Sequence, residues 1–222
     1  MGALGRSCVG GTLDEAQALA VGAPVAGHAV RIVHDGAELG DDRVGEIWLR
    51  GPAVMTGYYR DDAATGEALV DGWLRTGDLG FVRGGELYVT GRLKEMMILH
   101  GRNYYPHDVE DLVSELPGCH RGVAVAFTGE DAGGEHMIVV AETRLADPGA
   151  CAALAAASQR AVAAALAIPR LEVVLVRPGA VPRTTSGKRQ RLLVKASLGQ
   201  PGFAASVIWS TRARVASEGA SP

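Results

Sequence analysis

This sequence has few cysteines, a small net charge and no long apolar run, and each of these features argues against a class of protein. The three cysteines, Cys8, Cys119 and Cys151, lie far apart and form no CxxC pair, which argues against a disulfide framework or a zinc site. A net charge of −3 gives no electrostatic reason to expect a nucleic-acid partner. The apolar runs are too short for a membrane span, and the first residues lack the continuous apolar core of a secretory leader. These absences favour a cytoplasmic globular protein.

The standard motifs of several enzyme classes are missing as well. The sequence contains no Walker phosphate loop, no GxGxxG after a strand, no HExxH and no GxSxG elbow. The six histidines are scattered along the chain, so no metal-ligand set is predicted. Any catalytic chemistry must therefore come from other polar stretches.

The first part of the chain, residues 1–91, has the pattern of a β-rich subdomain. Short runs such as HAVRIV at 28–33 and GELYVTG at 85–91 carry β-branched or aromatic residues between Gly and Asp turns. Residues 58–73 interrupt them and predict a short helix or a loop excursion. Several short strands at close spacing predict a small barrel or a folded sheet.

Residues 95–200 change to a compact α+β pattern. Pro106 suits a first helical position, and Pro117 with the glycine after it would end that helix. Two strands, an Ala-rich helix over 149–167, a third strand and a short last helix follow in that order. The change of pattern predicts a hinge at 92–94 between two domains, and the small polar residues of 201–222 predict a flexible tail.

One candidate binding stretch is WLRTGDLG, residues 73–80. A Thr-Gly-Asp turn after a strand would place the carboxylate of Asp78 at a loop tip with free backbone around it. Such a carboxylate can accept two hydrogen bonds from a vicinal diol such as a ribose. An Asx turn that merely caps a hairpin is the alternative reading of the same residues.

A second candidate is PRTTSGKRQR, residues 182–191, which gathers positive charge in a mildly acidic chain. Its four cations are Arg183, Lys188, Arg189 and Arg191. One interpretation is a solvated surface turn, since runs of like charge are usually solvated. The other is an anion site in which the cations of a flexible loop reach something phosphate-like together.

A third stretch, residues 91–110, spans the predicted hinge. Arg92 and Lys94 lie at the hinge itself, and Gly101 permits a positive φ or a close backbone approach. An exposed hairpin with ordinary surface cations is the alternative interpretation.

In order and spacing, four stretches resemble motifs of the adenylate-forming superfamily, which includes acyl- and aryl-CoA ligases, luciferases and peptide-synthetase adenylation domains. These stretches are GEIWLRGPAVMTGYY, WLRTGDLG, GRLKEMMILHG and PRTTSGKRQR, and they lie within residues 45–191. The residue patterns of GRNYYPHDVE and PRTTSGK are most similar to those of fatty acyl-AMP ligases. The resemblance implies an α+β fold: a β-barrel-like end of the large adenylation domain, then a mobile α+β lid domain.

The resemblance also implies an activity. Such an enzyme would use ATP and Mg²⁺ to adenylate a fatty acid. It would then pass the acyl group to the phosphopantetheine of an acyl carrier protein or of a polyketide or peptide synthase. The Mg²⁺ ligands, the acyl pocket and the phosphate loop of the large domain have no counterpart here. The sequence therefore resembles a C-terminal portion that would need a separate N-terminal half for activity.

The roles implied by the resemblance fall on named residues. Lys188 would be the catalytic lysine of adenylation, presented by the turn of Ser186 and Gly187. Asp78 would bind the ribose hydroxyls, with Arg92 beside it near the ribose or phosphates.

The remaining implied roles concern the second half-reaction. Lys94 would be the pivot of the lid, and the turn of Gly101, Arg102 and Asn103 would lie on the pantetheine side. Two other readings remain open: a non-catalytic module that docks a carrier protein or complements a partner, and a fragment of an acyl-CoA ligase.

Overall fold

The computed structural model describes residues 19–212, and the chain divides into two compact units after Met96. The strands and helices of unit 1 are β1 Leu19–Gly22, β2 Ala29–His34, β3 Ala37–Leu39, β4 Gly45–Arg50, α1 Asp62–Ala68, β5 Leu69–Val70, β6 Trp73–Arg83 and β7 Glu86–Arg92. A single 3₁₀ turn, Leu93–Glu95, closes the unit.

Unit 1 is a seven-stranded sheet in the order β1-β7-β6-β4-β2-β3, with β5 paired to β6. Neighbouring strands run antiparallel, and β1 and β3 stand at opposite ends of the order. The sequence predicted either a small barrel or a folded sheet. Within the described residues, unit 1 is a folded sheet and not a closed barrel. The buried side chains of this unit include Ile32, Ile47, Leu79 and Phe81.

The excursion between β4 and β6 contains the predicted short helix. Asp61 caps α1, because its Oδ1 accepts a hydrogen bond from the Ala64 backbone N–H at 2.9 Å. The helix buries none of its residues, so it is a surface connection between strands of the sheet.

Unit 2 has the α+β order expected from the sequence, with additional elements at both ends. Its elements are β8 Met97–Leu99, β9 Arg102–Tyr104, α2 Pro106–Ser114, β10 Cys119–Asp131, β11 Gly134–Thr143, α3 Pro148–Leu166, β12 Leu171–Val176, α4 Arg191–Ser197, α5 Pro201–Ala204 and β13 Val207–Ser210. The last four strands form one sheet in the order β10-β11-β12-β13.

The core of unit 2 follows from the alternation of side chains along these strands. Val125, Val140 and Val174 lie on one face, where α4 contributes Val194 to the same buried cluster. β11 and β12 are parallel, so the connection between them must cross over, and α3 provides that crossover.

Helix α3 begins where Asp147 accepts a hydrogen bond from Ala150 N–H at 2.7 Å, and it ends at a left-handed Ala167. By length and mean hydropathy, 1.3, this helix could cross a membrane. One face of it, which includes Leu154 and Val162, is nonetheless buried within unit 2.

The expectation of a flexible tail from residue 201 onward is wrong for its first residues. Helix α5 begins at Pro201, shortly after the end of α4, and β13 pairs antiparallel with β12. Val207 packs against the core cluster of the unit, so apolar burial outweighs the small polar character of this segment. The remainder of the predicted tail, 213–222, lies outside the described residues.

Candidate functional site

The Thr-Gly-Asp stretch lies inside strand β6 as a bulge. Glu46 faces Leu79 and Trp48 faces Arg75, so the three residues 76–78 stand opposite the single residue between Glu46 and Trp48. The expectation of a loop tip is therefore wrong. The extra residues are absorbed within the sheet, with Gly77 in the left-handed region at φ 71°.

Glu46 holds this bulge in place. Its carboxylate accepts hydrogen bonds from the Gly77 backbone N–H at 3.2 Å, the Trp48 indole N–H at 2.9 Å and Arg75 Nε at 3.2 Å. Glu46 is only 9% exposed, so these three donors replace its lost hydration. Sequence reasoning missed this residue, although the Gly-Glu of the strand motif was the available signal.

Asp78 and Arg92 are brought together across β6 and β7. They are direct cross-strand partners, and Arg92 Nε donates to Asp78 Oδ1 at 2.8 Å. The two side chains remain 35% and 65% exposed. A half-exposed carboxylate beside a guanidinium can still accept hydroxyl hydrogen bonds from a diol. The ribose-binding role of the pair stays a prediction.

A stack of guanidinium and indole groups braces the strands that carry this bulge. The Arg31 guanidinium carbon lies 4.6 Å from the ring centre of Trp48 and 4.3 Å from that of Trp73. Arg75 lies over Trp48 at 5.7 Å, and Arg50 lies over Trp73 at 5.5 Å. These cation–π contacts join β2, β4 and β6 on one face of the sheet.

Lys94 lies in the exposed 3₁₀ turn that follows β7. The division of the chain into two units falls two residues further along, after Met96. Its role as a pivot stays a prediction.

The loop that carries Lys188 is a tight hairpin. Arg183 and Arg189 form an antiparallel bridge at its base. Thr184 N–H donates to Lys188 O at 2.8 Å, and Gly187 N–H donates to Thr184 O at 2.9 Å. Gly187 has φ 81°, which favours glycine at this position.

Hydroxyl groups complete the turn. The Lys188 backbone N–H donates to Thr184 Oγ1 at 3.1 Å, and that oxygen lies 2.9 Å from Ser186 Oγ. The Lys188 side chain is exposed, and within residues 19–212 its ammonium group has no hydrogen bond or ion pair. The loop thus presents a free cation from an ordered turn.

Two of the neighbouring arginines, Arg189 and Arg191, are anchors, which corrects the expectation that they join Lys188 in an anion site. Arg189 donates to the carbonyl oxygens of Ala124 and Gly122, each at 3.0 Å, and contacts Glu110 Oε2 at 3.4 Å. Arg191 donates to Glu110 through Nε at 2.5 Å and through Nη2 at 2.8 Å.

Glu110 is the centre of this anchor. It is 1% exposed and also accepts a hydrogen bond from the Ala126 backbone N–H at 3.0 Å. A buried carboxylate with two guanidinium groups and an amide is well compensated for the loss of water. Sequence reasoning missed Glu110, since its partners lie 79 and 81 residues away along the chain.

A second buried carboxylate fixes the other end of the loop. Glu142, 4% exposed, accepts a hydrogen bond from the Val181 backbone N–H at 3.0 Å. Arg183 Nη1 then donates to the Gly187 carbonyl at 3.3 Å across the loop. Both ends of the Lys188 loop are therefore tied to the α+β core of unit 2.

The predicted pantetheine-side turn connects β8 and β9. His100 and Gly101 have φ 49° and 73°, the signature of a two-residue type I′ hairpin turn. A Cβ atom added to Gly101 would meet nothing within 4 Å, so space is open on that side. Arg102 is exposed and Asn103 is half-buried.

The described residues offer neither a metal cluster nor a cysteine nucleophile. Residues 19–212 contain no group of three or more His, Cys, Asp or Glu side chains that could hold a metal ion. Burial raises the pKa of the Cys119 and Cys151 thiols, which disfavours the thiolate form. Cys8 lies outside the described residues.

Residues 3–59 match the AMP-binding enzyme family. The chain is 39% identical over 173 residues to the probable long-chain-fatty-acid–AMP ligase FadD30 of Mycobacterium tuberculosis, covering 69% of this chain and 29% of that protein. It is 38% identical over 168 residues to 4-hydroxyphenylalkanoate adenylyltransferase of Mycobacterium marinum, covering 67% and 26%. The chain therefore spans less than a third of the length of these relatives.

The fold is similar to that of solved adenylate-forming proteins. A fatty acyl-adenylate ligase structure, from work on the E. coli and L. pneumophila enzymes, matches with a TM-score of 0.73 and 33% identity, over 85% of this chain and 33% of that one. A multidomain structure of a keto acid-selecting peptide-synthetase module, with adenylation, ketoreductase and pseudo-Asub domains, matches with a TM-score of 0.78 and 29% identity, over 89% and 17%.

Proposed function

Because the chain belongs to the AMP-binding superfamily of adenylate-forming enzymes, we propose that it supplies the C-terminal portion of a cytoplasmic, ATP-dependent fatty acyl-AMP ligase. The observation that carries this proposal is the ammonium group of Lys188, which has no partner within residues 19–212 and is held on a loop where Arg189 and Arg191 are already paired. The identity to a long-chain-fatty-acid–AMP ligase supports the substrate class.

In the proposed reaction, a fatty acid carboxylate oxygen forms a bond to the α-phosphorus of ATP. The bond from that phosphorus to the bridging oxygen breaks, and pyrophosphate leaves. Negative charge builds on the phosphoryl oxygens, and the attacking carboxylate is itself an anion. A positioned ammonium group such as that of Lys188 lowers this barrier electrostatically, by about 3 kcal/mol on the scale of single stabilising contacts.

Asp78 is proposed to accept hydrogen bonds from the ribose hydroxyls, with Arg92 holding its carboxylate in orientation. ATP enters such reactions as a magnesium complex, which lowers the negative charge of the phosphates. No step is assigned through Mg²⁺ to residues 19–212, which contain no group of three or more His, Cys, Asp or Glu side chains that could hold a metal ion.

The proposed second step transfers the acyl group. The thiol of a carrier protein's phosphopantetheine attacks the acyl carbonyl, a thioester forms, and AMP leaves. The open space beside Gly101 would admit this arm, with Arg102 and Asn103 next to it. Lys94 would be the pivot about which the lid domain turns between the two steps. Coenzyme A in place of a carrier protein is the alternative acceptor.

ATP–pyrophosphate exchange with a panel of fatty acids tests the proposal. It is measured on this chain alone and on this chain co-expressed with the N-terminal half of a related ligase. We expect exchange in the complemented sample and its loss with Lys188→Ala. The matched control is Lys195→Ala, an exposed lysine of α4, which should retain exchange.

Absence of exchange in a complemented, folded sample would contradict the proposal. If the chain still bound a carrier protein in that case, a non-catalytic docking role would replace it. Thioester formation with coenzyme A but not with a carrier protein would identify an acyl-CoA ligase instead.

A further inference from the structure

An open groove of about 840 Å³ lies in unit 2 next to the base of the Lys188 loop. Arg121, Arg144 and Arg183 line it, together with His120. The lining holds one carboxylate, that of Glu142, against three guanidinium groups. The groove is therefore positively charged even with a neutral imidazole.

Within the described part of the chain, these three arginines form no ion pairs. Within residues 19–212, Arg121 and Arg144 make no hydrogen bond or ion pair through their side chains, and both are exposed. Among the residues that the structure describes, the Arg183 side chain donates a single hydrogen bond, to the Gly187 carbonyl oxygen. They differ in this from the two arginines that Glu110 binds. Unpaired guanidinium groups around one concavity have their donors available for an anion.

The backbone that shapes the groove is held in place. Cys119 faces Thr143 and Ala124 faces Ala141, so the four residues 120–123 bulge opposite Glu142 alone. Arg189 fixes this bulge from behind by donating to the carbonyl oxygens on either side of Val123. Elsewhere in the lining, the Val181 backbone N–H donates a hydrogen bond to Glu142 Oε1 at 3.0 Å. The arginines thus project from a preformed frame.

We propose that this groove binds a phosphate-bearing small molecule with at least two negative charges, at a site separate from the tip of the Lys188 loop. Guanidinium groups match phosphate oxygens in pairs, and three of them favour a diphosphate or a comparable phosphorylated group. The volume lies in the range of small-molecule sites, about 300–1,000 Å³. No step of the proposed adenylation uses Arg121 or Arg144, so the inference goes beyond the proposed function.

Calorimetric titration of the full chain with inorganic pyrophosphate, ATP and phosphopantetheine tests the site. These compounds distinguish a free diphosphate, a nucleotide and a phosphorylated acceptor arm as the source of the phosphate. The groove variant is Arg121→Asn with Arg144→Gln, since Asn tolerates the φ of 50° at position 121. The matched control, Arg160→Gln with Lys195→Gln, removes the same charge from exposed residues outside the groove.

We expect at least one of the three compounds to bind and the groove variant to weaken binding about tenfold or more. The charge-matched control and Lys188→Ala should each change the affinity by less than about threefold, which separates this site from the catalytic loop. If the double variant does not fold, Arg144→Gln alone replaces it, and we expect an intermediate loss of binding affinity.

Three results would overturn the inference. The first is that the unmodified chain binds none of the compounds. The second is that the charge-matched control loses as much affinity as the groove variant. The third is that the same arginines capture an acidic carrier protein but bind none of the small phosphates. Because binding is read without turnover, these results do not depend on whether the proposed ligase activity is correct.

Discussion

Replacing Glu110 by Gln should destabilise unit 2 strongly, although the side chain keeps its size. Gln cannot neutralise Arg189 and Arg191, and its NH₂ group would face guanidinium donors. Breaking a buried ion pair by removing one partner costs about 3–5 kcal/mol. The two arginine side chains are 28% and 21% exposed, so water screens part of this loss. We therefore expect about 3 kcal/mol, at the lower end of that range.

Native-state hydrogen exchange measures this loss in the unit concerned. The β11 amides are central to the sheet, and their opening free energy should fall by the stated amount in the variant. Glu130→Gln is the matched control, because Glu130 is exposed on β10 and its side chain has no partner among residues 19–212. It should change the opening free energy by less than about 0.5 kcal/mol. A loss below about 1 kcal/mol for Glu110→Gln would refute the assignment of this carboxylate as the anchor of the Lys188 loop.

Four further predictions each concern a single residue. Lys188→Ala should abolish adenylate formation in a complemented ligase while leaving the urea midpoint unchanged, because the side chain has no partner within the described residues. Asp78→Asn should raise the KM for ATP but change the free energy of unfolding by less than about 1 kcal/mol, since its ion pair is exposed. Gly80→Ala should lower the urea midpoint of unit 1, because a Cβ there would lie 2.2 Å from a backbone carbonyl oxygen. Finally, a hydrogen bond from Arg170 lowers the pKa of Asp131 from 3.8 to about 2, so this contribution to stability is present above pH 3.8 and is lost as the pH falls toward 2. Carbon-13 NMR titration of Asp131 should show that midpoint, and Arg170→Gln should return it toward 3.8; an unchanged midpoint in the variant would contradict the assigned cause.

Local sequence rules correctly predicted those helices and strands whose formation depends on residues within the element itself. Pro106 begins α2 as expected, and the Ala-rich helix runs over Pro148–Leu166, close to the predicted 149–167. Strand β12 lies where its run of apolar residues indicated. In each case the relevant proline, cap or apolar run stands within the element itself.

The errors arose where a distant segment decides the structure. The Thr-Gly-Asp bulge depends on the register of β4, about thirty residues earlier, and on the Glu46 carboxylate. Arg189 could not be recognised as an anchor without knowing that α2 places Glu110 behind it. Strand β13 exists because β12 offers an edge to pair with, which no local pattern reveals.

We expect that last strand to limit aggregation of the chain. All six residues of β12 are buried, and such an apolar strand with an open edge is a template for pairing with another molecule. β13 covers this edge with only four residues, and Arg212 follows it closely. A short strand next to a charge is a poor template for further additions. The segment after the Lys188 loop therefore covers the β12 edge of the sheet, where a run of Val and Leu would otherwise invite self-association.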